Sequence, residues 1–243
     1  MPTFTQPLPP TKTKPCDVIL ALDVPTRADA EAYLDRIGSD LRWVKIGLQL
    51  FVREGPGLVD AVANRGHKVF LDLKLHDIPN TVASAIKSLK GRPCEMLTIH
   101  AGGGAEMMRE AVAAAHETNP ALKLLAVTVL TSFDDAGLAE TGVAGGAGAQ
   151  VERLAGLAFG TGIPGLICSP VELPALRAKF GRNPLLVTPG VRPAGAALGD
   201  QKRALTPGEA AAAGADYIVV GRPLLQAKDP RAALAAIRAE MGN

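Results

Sequence analysis

Residues 68–82 read KVFLDLKLHDIPNTV, an apolar run that acquires charge towards its end and then turns into a helix start. Lys68–Leu73 has the β-branched and aromatic content of a strand, and Ile78-Pro79-Asn80-Thr81 opens a helical pattern that continues over Thr81–Lys90. The run is apolar on both alternating sets of side chains, which suits a parallel strand buried on both faces and covered by helices. Asp72, Lys74 and Asp77 stand where that strand ends. Side chains alternate along a strand, so Asp72 and Lys74 point to the same side.

Working outward, the same unit recurs in both directions. Strand patterns are read at Asp17–Asp23, Arg42–Gly47, Lys68–Leu73, Met96–His100, Leu124–Val129, Gly165–Cys168, Leu185–Thr188 and Tyr217–Val220. Helical patterns lie between and after them, at Arg27–Ile37, Gly57–Arg65, Thr81–Lys90, Ala105–Thr118, Gln150–Phe159, Val171–Phe180, Pro207–Ala213 and Arg231–Met241. Alternating strands and helices imply βαβ units and a parallel sheet. Eight units in 243 residues match the single-domain α/β TIM (β/α)8 barrel, typically about 250 residues long. A doubly wound open sheet uses the same alternation. The barrel is preferred because polar residues end strand after strand: Asp23, Lys45, Asp72 with Lys74, His100, Thr131 with Ser132, Arg192, and Gly221 with Arg222. Barrel active sites draw on many strand ends, whereas an open sheet gathers them at one switch point. Residues 136–149 are rich in Gly and Ala and are expected to form a loop after the fifth strand.

Composition narrows the function classes. Apolar residues make up 47% and aromatics only 4%, so the core is built from small and branched aliphatics. A net charge of +2, from 26 basic and 24 acidic residues, is no footprint for nucleic acid, and no apolar run approaches the ~20 residues of a membrane span. Cys16, Cys94 and Cys168 have no metal or redox spacing and read as buried small residues in a reducing compartment. Residues 1–15 carry Pro2, Pro7, Pro9, Pro10 and Pro15. They are expected to form a flexible arm ahead of a barrel domain spanning 16–243. They also lack a leader's apolar region, so a cytoplasmic location is expected.

Two acids and a lysine inside an apolar stretch are costly unless paired. Carboxylates beside Lys74 favour its charged form, which makes it a proton donor to a developing carbanion. A Schiff-base lysine needs desolvation or a neighbouring cation instead. Thr188-Pro189-Gly190-Val191-Arg192-Pro193 follows the seventh strand, and Gly221-Arg222-Pro223 follows the eighth, with a short helix from Leu224. Loops there often bind phosphate. Gly221 admits backbone N–H groups and Arg222 offers bidentate bonds. Asp23 and Lys45 suit a sugar hydroxyl and its neutralising cation, or a plain salt bridge at the rim. His100, before Ala-Gly-Gly-Gly, is a catalytic candidate but reads better as a packed histidine ending a strand, His76 as pointing away from the site, and His67 and His116 as surface residues.

The chain resembles the orotidine 5′-phosphate decarboxylase family over residues 16–242. The blocks are ILALDV (Ile19–Val24), WVKIGLQLF (Trp43–Phe51), VFLDLKLHDIPNTV (Val69–Val82), LTIHAGGG (Leu97–Gly104), VTVLTS (Val127–Ser132), VTPGVRP (Val187–Pro193), DQKR (Asp200–Arg203) and YIVVGRPL (Tyr217–Leu224). The resemblance implies a carboxy-lyase that converts orotidine 5′-monophosphate to uridine 5′-monophosphate and carbon dioxide, the last step of de novo pyrimidine synthesis, with neither metal nor organic cofactor. It implies that Lys74 protonates C6 and that Asp72 stands by the departing carboxylate and holds Lys74. Lys45, Asp72, Lys74 and Asp77 would form an alternating charge network. In a homodimer, Asp77 and Thr81 would complete the partner's site. Asp23 and Lys45 would meet the ribose, Thr131 and Ser132 the pyrimidine, and Arg192, Gln201, Gly221 and Arg222 the phosphate. The segment from Arg192 to Gln201 would serve as a lid.

Two other readings share these residues. Relatives with the same Asp-x-Lys-x-x-Asp core, 3-hexulose-6-phosphate synthase and keto-gulonate-phosphate decarboxylase, use magnesium and an enediolate. Thr131, Ser132 and the Asp200–Arg203 block fit the decarboxylase better. A non-enzymatic nucleotide-binding barrel has little use for a lysine held between acids.

Overall fold

Each strand carries two apolar faces, and the fold gives each face its own core. In the computed structural model, which describes residues 15–193 and 205–242, eight parallel strands close into a barrel. They are β1 (Asp17–Ala21), β2 (Trp43–Gly47), β3 (Lys68–Leu75), β4 (Cys94–His100), β5 (Lys123–Val127), β6 (Gly165–Ile167), β7 (Leu185–Thr188) and β8 (Tyr217–Val220). Closure is made by β1 pairing with β8, Asp17 opposite Tyr217 and Leu20 opposite Val220. The barrel expected from the strand ends is therefore present, and the open sheet is not.

Ile19, Trp43, Phe70, Met96, Leu125, Val127, Val187 and Tyr217 point inward and fill the barrel. Their neighbours Leu20, Val44, Leu71, Leu97, Ala126, Leu186 and Ile218 point outward and pack beneath the helices. Trp43 and Tyr217 meet edge-on, 5.4 Å between ring centres. They supply bulk that the other small aliphatics do not.

Local boundaries differ from the sequence reading where side chains intervene. Strand β3 runs two residues past Leu73, to Leu75. The Gly/Ala-rich stretch after β5 is not a loop throughout. A helix spans Asp135–Glu140, capped by Asp134, whose carboxylate accepts the Gly137 N–H, and a second begins at Gly146. Asp135 Oδ1 accepts the Ala147 N–H at 2.8 Å and joins the two. A helix at Leu48–Glu54, directly after β2, was not foreseen. The short helix after β8 starts at Arg222 rather than Leu224. His67 is buried, not at the surface, because its Nδ1 bonds the Leu41 carbonyl at 2.8 Å. His116 is exposed as expected. All three cysteines are buried, and burial pushes each thiol up to about 12.

The end of the barrel where the strands begin is clamped by Arg177. Its guanidinium donates to the carbonyls of Gly214 (2.9 Å) and Pro184 (2.8 Å) and to Asp216 Oδ2 (2.6 Å). Asp216 in turn accepts the Leu186 N–H. Removing one partner of such a part-buried pair leaves the other charge without its counter-ion and two carbonyls without their donor. Arg177→Met is expected to lower stability by about 1–3 kcal/mol, read as a fall in the urea midpoint, while leaving ligand binding at the opposite end intact.

Candidate active site

The inward rows do not stop where the apolar core stops. One step of two beyond Ala21 on β1 comes Asp23, beyond Trp43 on β2 comes Lys45, beyond Phe70 on β3 comes Asp72, and beyond Met96 on β4 comes Thr98. Parity thus turns four core rows into a polar layer at the ends of the strands. Lys45 Nζ lies 3.3 Å from Asp23 Oδ1 and 3.3 Å from Asp72 Oδ2. Lys74 Nζ lies 2.8 Å from Asp72 Oδ1. The charges alternate as Asp23, Lys45, Asp72, Lys74. Lys45 and Asp72 have side chains only 10% and 13% exposed, whereas Lys74 is 31% exposed, so of the two ammonium groups that of Lys74 is the one more open to an incoming molecule.

Two backbone features make the array possible. Gly47 faces it without a side chain: a Cβ there would stand 3.0 Å from Asp23 Oδ1 and 3.2 Å from Lys45 Nζ. Lys74 has φ of 50°, the one non-glycine positive φ among the described residues. Such a conformation costs about 1–3 kcal/mol and persists only when its surroundings hold it. Simple alternation does not account for Lys74, because β3 is irregular between Leu71 and Leu75. The bulge turns the lysine back over Asp72.

Lys45, Phe70, Asp72, Lys74, Thr131 and Pro189 are among the residues lining a cavity of about 150 Å³. Its remaining walls, Val127, Val129, Leu130, Ile167 and Val219, are apolar. A charged pair beside apolar walls acts on whatever enters the cavity through a low dielectric, where fixed charges are worth more than in water.

The other expected site residues fall outside this cavity's lining. Ser132 is exposed. Arg192 is buried, with a guanidinium N–H on the Val191 carbonyl at 2.9 Å. Gly221 and Arg222 form the turn into the helix Arg222–Leu225. Gln201, with the rest of the Asp200–Arg203 block and the expected lid, lies outside the described residues. Asp77 and Thr81 are exposed. Asp77 Oδ1 accepts its neighbour Ile78's N–H at 2.7 Å, so Asp77 stands apart from the chain's own charge array. His76 is not turned away from everything: its ring lies 5.2 Å from that of half-buried His100. Desolvation, and then His76 and Lys74, pull the His100 pKa down.

Thr98 was not singled out from the sequence, although it is fully buried and bonded to Asp72. A lone hydroxyl in an apolar strand, on the inward parity set by Met96 and His100, was the available signal. Gly47 was missed because the need for an absent side chain shows only in three dimensions.

The sequence matches the Orotidine 5'-phosphate decarboxylase / HUMPS family over residues 17–237. The chain belongs to that family. It is 54% identical to an orotidine 5'-phosphate decarboxylase of Anaeromyxobacter sp. (strain K), over 91% of this chain and 96% of that one. It is 50% identical to the Opitutus terrae protein of the same name, over 93% and 98%. Among solved structures, orotidine 5'-phosphate decarboxylase from Lactobacillus acidophilus is similar with a TM-score of 0.84 and 39% identity. That match covers 94% of this chain and 100% of the other. Family membership and fold thus agree over nearly the whole chain.

The electrostatics of Asp72 follow from its neighbours. Burial raises its pKa and is the largest single effect. Lys45 and Lys74 oppose it, helped by hydrogen bonds from Lys74 and Thr98, and the net result is a carboxyl below the usual range. A folded pKa below the unfolded value of about 3.9 stabilises the fold above that pH. The contribution is lost as pH falls through the folded value. Asp72→Asn is therefore expected to be less stable than the parent protein at pH 7, by roughly 1–3 kcal/mol for the buried donors it leaves without a carboxylate. The gap should narrow below about pH 4, as measured by urea unfolding at pH 7 and pH 3.

Proposed function

We propose that this chain decarboxylates orotidine 5′-monophosphate to uridine 5′-monophosphate and carbon dioxide. The observation that carries the reading is the half-exposed Lys74 ammonium, held 2.8 Å from the buried Asp72 carboxylate at an apolar cavity. In the reaction the bond from C6 to the substrate carboxylate breaks and its electron pair stays on C6. Lys74 Nζ gives a proton to C6, and the neutral amine regains one from water. Asp72, beside the departing carboxylate, keeps the ammonium aimed at that carbon.

Magnitudes require help from elsewhere. Enzymes remove about 8–23 kcal/mol of barrier, whereas unit charges 4 Å apart interact by ~4 kcal/mol at an effective dielectric of 20. Binding energy from the distant phosphate is then spent on orienting the ring. Arg192, Gln201, Gly221 and Arg222 are assigned to that phosphate, Asp23 and Lys45 to the ribose, and Thr131 and Ser132 to the pyrimidine. Asp77 and Thr81 are assigned to the site of a second copy in a homodimer. This is supported by their exposure and by the exposed apolar side chains Leu48, Val52 and Ile78 on the segments that leave β2 and β3. No helix among the described residues is long and apolar enough to cross a membrane, and the cytoplasm is the compartment proposed.

An ultraviolet assay of orotidine 5′-monophosphate consumption, with and without chelator, tests the reaction. Equal turnover in both is expected, and turnover of a ketose phosphate alone, abolished by chelator, would overturn it. Lys74→Ala should still bind uridine 5′-monophosphate while losing nearly all turnover. Mixing Lys74→Ala with Asp77→Ala subunits should restore about one quarter of the activity, because half the dimers are mixed and each mixed dimer regains one of two sites. No recovery on exchange would remove Asp77 from the partner's site.

A further inference from the structure

Three consecutive residues of β3 stand against one residue of β4. Leu71 pairs with Leu97 and Leu75 with Ile99, so Asp72, Leu73 and Lys74 share Thr98 as their only counterpart. Within this bulge the Lys74 N–H donates to a side chain, Thr98 Oγ1, at 2.8 Å. The Thr98 hydroxyl donates onward to Asp72 Oδ1 at 3.0 Å. The direction is determined: an amide N–H only donates, so the hydroxyl oxygen accepts there and its single proton goes to the carboxylate. Asp72 Oδ1 also accepts from Lys74 Nζ. One buried hydroxyl therefore ties the left-handed backbone of Lys74 to the carboxylate that holds the Lys74 ammonium.

We propose that Thr98 is a positioning residue for this site, whose hydroxyl holds the Lys74 backbone and the Asp72 carboxylate in the geometry that delivers the ammonium to substrate. The proposal rests on the reading of Lys74 as proton donor. Thr98 touches no reacting atom in this account. It acts through Asp72 and through the φ of Lys74. A valine in its place keeps the shape and removes both bonds, leaving the Lys74 N–H without its acceptor and the carboxylate with one donor fewer. The charged and titratable groups around Asp72 are Lys45 from β2, Lys74 on its own strand, Asp23 beyond Lys45 at the end of β1, and His100 with His76 at the ends of β4 and β3. The first two remain in the variant, so Asp72 is weakened as an anion, not neutralised.

Thr98→Val is expected to lower kcat about 10- to 100-fold, the scale of an ångström's misplacement, with KM within about threefold of the parent. The acid limb of its kcat/KM profile should move to higher pH. Thr98→Ser, which keeps the hydroxyl, should stay within about threefold of the parent on both constants. A 13C NMR titration of ligand-free protein should show the Asp72 carboxyl titrating at higher pH in Thr98→Val than in the parent or in Thr98→Ser. Thr98→Ala serves the same comparison if the valine protein does not fold. Unchanged kcat and an unchanged acid limb in the hydroxyl-free variant, beside an active parent, would overturn the proposal, as would an unmoved Asp72 titration. An inactive parent would instead sink the decarboxylase reading, and the titration alone would then decide whether Thr98 controls Asp72.

Discussion

The Asp72 carboxylate is an anion lowered into the top of an apolar barrel, and most of the site can be understood as what that placement demands. Isolated, such a charge would take up a proton. Here two ammonium groups and a hydroxyl surround it, and each imposes a further condition. Lys45 needs its own anion, supplied by Asp23, and room for that pair, supplied by the missing side chain of Gly47. Lys74 must curl back over its own strand, which needs an irregular β3 and a left-handed residue.

The barrel divides these tasks between its two ends. At the end where strands begin, Arg177 and Asp216 satisfy backbone groups of β7 and the turn before β8. At the end where strands finish, charges are packed closely and one residue is held in an unfavourable conformation. Such division is the usual pattern in this architecture, where function varies on one face while the other keeps the fold together. The inward-facing side chains of Ile19, Trp43, Phe70 and Met96 fill the barrel between them.

Much of this was legible in the sequence, for a stated reason. Strand parity is simple, so Lys45, Asp72 and the barrel itself could be read from alternation and from polar residues at strand ends. Where parity breaks, reading broke as well. Lys74 was placed beside Asp72 correctly, but by an alternation that its bulged strand does not follow. Thr98 and Gly47 act through neighbours that are distant in sequence. The helix Leu48–Glu54 follows β2 without an intervening turn signal. The helix pair around Asp135 depends on a carboxylate reaching twelve residues ahead to Ala147. His67 passed for a surface residue because the carbonyl that satisfies it belongs to Leu41.

Closure through β1 and β8 also bears on how the protein is made. Asp17 pairs with Tyr217, 200 positions along the chain, so the seam that closes the barrel joins its first strand to its eighth. Non-local pairing of this kind is slow relative to local helix formation, and domains emerge from the ribosome N-terminus first. Strands β1 to β3 carry the charge array and leave the ribosome early, yet their inward faces stay unsealed until β8 arrives. During that interval Asp72 has water to solvate it. Only when the ring closes does its environment become dry, which couples maturation of the site to the arrival of β8.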